Sequence, residues 1–175
     1  MLHFFHGAKR KHSKKLIAFR CPRWKDLPDF DLYMDQVVLW ITQKLEPLYF
    51  NQEKILTNSM VNNYVKNSIV DPPVKKHYTS KHLAYLIVVC ILKRCYTLSE
   101  IAGLIDIQAK IPGSNYKAAY DKFSTYFEIY LHEVMRKGNL DSIHSKYHSK
   151  EEELLCNVVS SIVLKIYTEY YLLDQ

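Results

Sequence analysis

The chain has 175 residues, 48% of them hydrophobic, which fits one globular domain or two small ones and excludes a disordered polymer. Four Gly and six Pro against fourteen Tyr exclude a collagen-like repeat and favour long regular elements over tight turns. The formal net charge of +6 is concentrated in two places: residues 1–20 hold six bases and no acid, and residues 57–96 hold six bases against Asp71 alone.

Residues 1–20 read as a flexible basic arm. Its apolar residues precede its charges, the reverse of a secretory signal. Cys21 to Asp29 reads as a loop containing Pro22 and Pro28. Asp29-Phe30-Asp31 then offers an N-cap, and Tyr33, Met34, Val37, Val38, Trp40, Ile41, Leu45 and Leu48 recur at helical spacing. They predict a helix over about 31–46, closed by Pro47. Thr57 caps a short helix over about 58–67 with two unlike faces. Met60, Val61, Tyr64 and Val65 form the apolar face; Asn58, Ser59, Asn62, Asn63, Lys66 and Asn67 form the polar one.

Asp71-Pro72-Pro73 ends that helix, and Val74 to Tyr78 (VKKHY) reads as short, basic and extended. Thr79 opens a helix over about 80–94 with Leu83, Leu86, Ile87, Cys90 and Ile91 inward. The apolar run Leu83 to Leu92 is half the length of about 20 residues that a bilayer crossing needs, so no membrane span is expected. Thr97-Leu98-Ser99-Glu100 has the form of a capping box that opens a helix to about Asp106. After the break at Ile111-Pro112-Gly113, Tyr116, Tyr120, Phe123, Phe127, Tyr130, Leu131 and Val134 predict a helix over 115–136, stopped by Gly138 and Asn139. Ser149 and Glu152 form a second capping box for a final helix over 150–173, whose apolar surface covers more than one face.

Residues Thr57 to Ile105 carry a resemblance. A short helix (Met60 to Tyr64), an apolar pair (Ile69-Val70), Pro73, a basic segment ending in an aromatic residue (Lys75, Lys76, His77, Tyr78), a longer helix and the turn Cys95 to Ile101 follow one another in this order. This succession resembles the winged helix-turn-helix of the MerR regulators. It departs from that pattern in three respects: Asn62 stands at the usual arginine, about ten residues (Pro47 to Leu56) separate the two helices, and the wing is shorter. A longer stretch, from Arg23 through Ile105 with the blocks DLYMDQV, MVNNYV and HLAYLIVVCILK, is similar to a domain-of-unknown-function family of Gram-positive bacteria.

The polar face supports nucleic acid on physical grounds as well. Asparagine can contact adenine edges bidentately in the major groove, and lysine sits on phosphate. Asn and Ser crowded on one short helix are also poor helix formers compared with the Glu and Lys that serve solubility alone. Other constellations carry less. His144 and His148 stand four apart with Cys156 beyond, but a metal site needs three or four ligands in fixed geometry, and ordinary surface histidines account for them. Cys21, Cys90, Cys95 and Cys156 contain no C-x-x-C pair, so a zinc ribbon is excluded; Cys90 and Cys156 lie in apolar stretches and fit reduced, buried thiols. No nucleophile elbow, phosphate-binding glycine loop or spaced carboxylate pair suggests an enzyme.

The expectation is an all-α fold: a MerR-like winged helix-turn-helix with a small β wing, plus a C-terminal helical pair. The divisions are a basic arm (1–20), a winged domain (21–108) and a helical C-terminal domain (109–175). The expected function is sequence-specific DNA binding by a cytoplasmic transcriptional regulator without a cofactor. Asn58, Ser59, Asn62, Asn63 and Lys66 would read the groove, and Lys75, Lys76, His77 and Tyr78 would grip the backbone. Three uses of the C-terminal helices stay open: packing on the winged domain, a homodimer interface, which is the expected one, or a cavity for a small-molecule effector. The alternative is a protein-interaction adaptor with a degenerate winged helix. A continuous positive face around Lys66, Lys75, Lys76 and Lys81 favours DNA; a neutral apolar groove favours a protein.

Overall fold

A computed structural model describes residues 12–50, 53–143 and 149–173. Among these the protein is all-α. Residues 12–18 form α1, followed by α2 (Met34–Leu45), α3 (Asn58–Lys66), α4 (Ser80–Leu92), α5 (Leu98–Ala109), α6 (Tyr116–Lys137) and α7 (Lys150–Leu172). Short 3₁₀ turns lie at Trp24–Asp26 and Glu46–Leu48. The expected β wing is corrected: the described residues contain no strand, only two isolated antiparallel bridges, Leu32 with Tyr78 and Val74 with His77. Pro72 and Pro73 offer no N–H on one side, and Thr79 already begins the cap of α4 on the other, so the arms of the hairpin are a residue long.

The chain forms two compact units. One comprises Pro22–Glu46 and Glu53–Lys122, the other Met1–Cys21, Pro47–Gln52 and Phe123–Gln175. In the first, α4 is the central element. Nine of its residues, from His82 and Leu83 to Leu92, are buried, as expected of a helix that is apolar all round. Each fully buried Leu or Ile contributes about 1.5–3 kcal/mol at most. α2 packs on α4 and α3 through Val37, Ile41 and Leu45. It starts at Met34, three residues later than its spacing suggests, because Leu32 exchanges both backbone hydrogen bonds with Tyr78 (2.9 and 2.8 Å) and must be extended. α5 is opened by the expected box: Glu100 N–H donates to Thr97 Oγ1 (3.3 Å) and Thr97 N–H to Glu100 Oε2 (2.7 Å).

This unit runs on to Lys122, beyond the expected division at 108. The first turns of α6 hold the segment after Cys21: Trp24 N–H donates to Asp121 Oδ1 (2.6 Å) and Tyr120 Oη to the Pro22 carbonyl (2.7 Å). The Trp24 ring meets Tyr116 edge-on at 5.3 Å, with the Lys117 ammonium 5.1 Å from its centroid.

The second unit contains α1, α6 from Phe123 onward, and α7. The flexible-arm expectation is corrected for residues 12–18, which are helical: Leu16 is fully buried, and Phe19 just beyond meets Phe127 edge-on at 6.1 Å. Residues 1–11, the remainder of that arm, lie outside the described residues, as do His144 and His148. Ser149 Oγ caps α7 by accepting from Glu152 N–H (3.1 Å), while the Glu152 carboxylate receives Tyr126 Oη (2.5 Å) and ties α7 to α6. Gly138 ends α6 at φ +78°, where a Cβ would stand 2.8 Å from Tyr167 Oη. Cys21, Cys90 and Cys156 are buried thiols and Cys95 is exposed. Burial pushes the Cys90 thiol up to about 12. No helix of the described residues is long and apolar enough to cross a membrane, and no group of side chains among them could hold a metal.

Candidate nucleic-acid interface

The site is built on α3. Thr57 has extended backbone and its Oγ1 accepts from Met60 N–H (3.2 Å), satisfying one of the unpaired donors of the first turn. Val61 and Tyr64 are buried, which fixes the rotation of the helix. Burial is also the main reason that the Tyr64 hydroxyl is pushed up to about 12. The Tyr64 carbonyl accepts from both Ile69 and Val70 N–H (3.0 and 3.4 Å), and Ser68, at φ +56°, turns the chain out of the helix. Lys93, from the end of α4, reaches under the helix entrance. Its Nζ donates to the Ile55 carbonyl (2.6 Å) and lies 3.7 Å from Met60 Sδ; burial lowers its pKa.

This packing leaves Asn58, Ser59, Asn62, Asn63 and Lys66 exposed on one face, opposite Val61 and Tyr64, as the sequence pattern required. Two of these side chains are engaged. Asn58 Nδ2 donates to Asp35 Oδ1 (2.8 Å), and Asn63 Oδ1 accepts from Asn67 Nδ2 (3.0 Å).

The basic segment is a two-residue turn. Val74 N–H donates to the His77 carbonyl (3.2 Å) and His77 N–H to that of Val74 (2.9 Å). Lys75 and Lys76 sit at its tip with φ of +50° and +66°, the left-handed pair of a type I′ hairpin, where Asn-Gly is the usual sequence. Both lysines are exposed, and Val74 beside them is 69% exposed. His77 is half-buried, its ring 4.6 Å from that of Tyr33. Tyr78 is the correction to the site: it is 2% exposed, edge-on to His82 at 5.4 Å, and burial raises its pKa. It is a core residue and cannot grip a backbone.

The excess charge of residues 57–96 is smaller at the surface than in the sequence. Lys81 Nζ pairs with Asp71 Oδ2 at 2.6 Å, a hydrogen bond that raises its pKa, and Lys93 points at a backbone carbonyl. Lys66, Lys75 and Lys76 remain as exposed cations.

The domain-of-unknown-function family DUF1836 matches residues 22–123, more than half of the chain. The chain belongs to the DUF1836 family. No curated protein and no solved structure matches it at a significant level. The DUF1836 match begins at Pro22 and ends one residue past Lys122, the first and last residues of the unit that carries α3 and the lysine turn. Within the DUF1836 domain, Asp35 and Tyr33 join the site without having been expected there, and Asn67, already on the polar face, joins it as the partner of Asn63. The i, i+4 spacing of Asn63 and Asn67 was a readable signal; the approach of Asp35, 23 positions before Asn58, had none.

The same unit has a cleft of about 570 Å³ between the segment 25–32 and α2. Its wall is mixed: Leu27, Pro28, Leu32, Leu39, Trp40 and the 64% exposed Phe30 alternate with Lys25, Asp26, Asp29, Gln36 and Gln43.

Proposed function

We propose that the protein is a sequence-specific DNA-binding transcriptional regulator of MerR-like winged-helix type, acting in the cytoplasm as a homodimer. Its α3 would enter the major groove and its lysine turn would lie on the phosphate backbone. The observation that carries this is the exposed face of Asn58, Ser59, Asn62, Asn63 and Lys66, held outward by buried Val61 and Tyr64 and followed by the exposed pair Lys75-Lys76. Amides on a helix read base edges, and lysines on a projecting turn neutralise phosphate. The test is fluorescence anisotropy with genomic fragments across a salt series. Log affinity should fall linearly with log salt, at about −0.9 per phosphate neutralised. Lys75→Ala with Lys76→Ala should weaken binding on every sequence and flatten the slope. A wild-type slope near zero removes DNA as the partner.

A second reading has its own observation. The cleft, where Phe30, Leu39 and Trp40 stand among Lys25, Asp29 and Gln36, suits an amphipathic segment of a protein partner and supports an adaptor that binds no DNA. Leu39→Ser would abolish partner capture under that reading and leave DNA affinity unchanged under the first.

A further inference from the structure

The cap of α4 is closed by an imidazole. Thr79 is the N-cap, and three positions on, where glutamate or glutamine usually reaches back to the cap, stands His82. Its Nδ1 accepts from Thr79 N–H at 3.0 Å, and Thr79 Oγ1 lies 3.0 Å from the same nitrogen. A backbone amide can only donate, so Nδ1 keeps its lone pair and the neutral ring carries its proton on Nε2. The side chain is buried, and Nε2 has no hydrogen-bond partner among the described residues. No carboxylate therefore supports a charge on this ring. Tyr78 is the titratable side chain in contact with it, edge-on at 5.4 Å. The charged groups of the surrounding elements are engaged elsewhere: Asp71 with Lys81, Asp35 with Asn58, and Lys117 over Trp24. The His77 ring meets Tyr33, and Asp29 and Asp31 are exposed.

We propose that His82 is an acid-sensitive latch that holds the lysine turn. A second proton can go only to Nδ1, where it confronts the Thr79 amide. The Thr79 hydroxyl can reverse and accept from the new N–H; the amide cannot reverse and loses its acceptor. The charge would also stand in the first turn of a helix, at the end that repels cations. Once the cap is open, the imidazole takes its proton freely, at about pH 6.5. The closed cap is thus fully stable above about pH 6.5 and weakens as the pH falls through that value. The turn that carries Lys75 and Lys76 hangs between Pro73 and this cap. Tyr78, next to Thr79, ties it to Leu32 through two backbone hydrogen bonds (2.9 and 2.8 Å). Proton uptake by His82 therefore loosens the presentation of two exposed cations, whichever partner they serve.

The test is amide hydrogen exchange by NMR on the full chain, read as the protection factor of Thr79 N–H, which removes the intrinsic pH dependence of exchange. In the wild type it should fall about three- to tenfold between about pH 7.5 and about pH 5.5, tenfold being the limit for one histidine over that span. His82→Gln supplies the usual capping acceptor, which does not titrate, and its protection should stay constant within about twofold. His77→Gln removes the imidazole of the turn itself and should leave the wild-type fall in place. The ring nitrogen chemical shifts of wild-type His82 give a reading that needs no variant: at about pH 7.5 they should report a proton on Nε2 and a bare Nδ1. A wild-type fall of less than about threefold, an equal fall in His82→Gln, a fall abolished by His77→Gln, or a proton on Nδ1 in the neutral ring each overturns the latch.

Discussion

Lys75 and Lys76 hold backbone angles that suit asparagine and glycine, and a left-handed residue with a long side chain is strained by roughly 1–2 kcal/mol. Strain of this kind persists where the side chains have a task. Lys75→Asn with Lys76→Gly is expected to stabilise the fold by about 1–2 kcal/mol in chemical denaturation. The same variant should lose affinity on all DNA, with the salt slope flatter by about 0.9 for each lysine removed. Stability unchanged with affinity retained would mean that the turn is unstrained and bears no load. Gly138 gives the opposite sign. Its φ of +78° and the 2.8 Å approach of Tyr167 Oη make Gly138→Ala destabilising by more than about 1 kcal/mol, measured by thermal unfolding.

At the level of elements, the helices were legible because their apolar period is long and their caps are ordinary. Thr57, Thr97 and Ser149 all cap where their sequence placed them. What was illegible depended on distant partners. The start of α2 is set by Tyr78, 46 positions after Leu32, and α1 turns one residue inward, Leu16, with Phe19 just beyond its end, in a stretch dominated by charge. Of the nine proposed DNA contacts, eight are exposed or half-buried; Tyr78 was misassigned because an aromatic next to lysines looks the same in sequence whether it faces out or in. The burial of Tyr64 on α3 and Cys90 on α4 also has a pH signature. Burial raises both Tyr64 and Cys90 to about 12, from ordinary values of 10.0 and 9.0. Folded, both stay protonated while the unfolded chain gives up its protons, so the stability these two groups contribute is present below about pH 9 and is lost as the pH rises toward about 12. Tyr64→Phe with Cys90→Ala should flatten this alkaline loss in melting curves recorded from pH 8 to 12; an equal loss in the double variant would place its origin elsewhere.

For the whole molecule, the unit boundary at Lys122 could not be read from the sequence, because it falls inside one uninterrupted helix rather than at the proline-glycine break before it. The width of the α7 apolar surface was legible, but its use was not. Ile162 and Ile166 are 0% exposed and serve the core of their own unit, while Leu164, Tyr171 and Leu172 face outward. A homodimer would therefore use Leu164 and Leu172, which stand about two turns apart. Light scattering should give a mass near twice 20.7 kDa, and Leu164→Glu with Leu172→Glu should return it to 20.7 kDa with the melting temperature nearly unchanged. A wild-type mass of one chain at high concentration retires the dimer.

The distribution of the four thiols gives the native protein a built-in chemical clock. Cys95 is open to an alkylating reagent at once, whereas Cys21, Cys90 and Cys156 wait until their surroundings open. Cys90 belongs to one compact unit, and Cys21 and Cys156 to the other. Timed alkylation followed by peptide mass spectrometry thus records two opening rates in one unlabelled sample, with the modification of Cys95 as the internal zero of time.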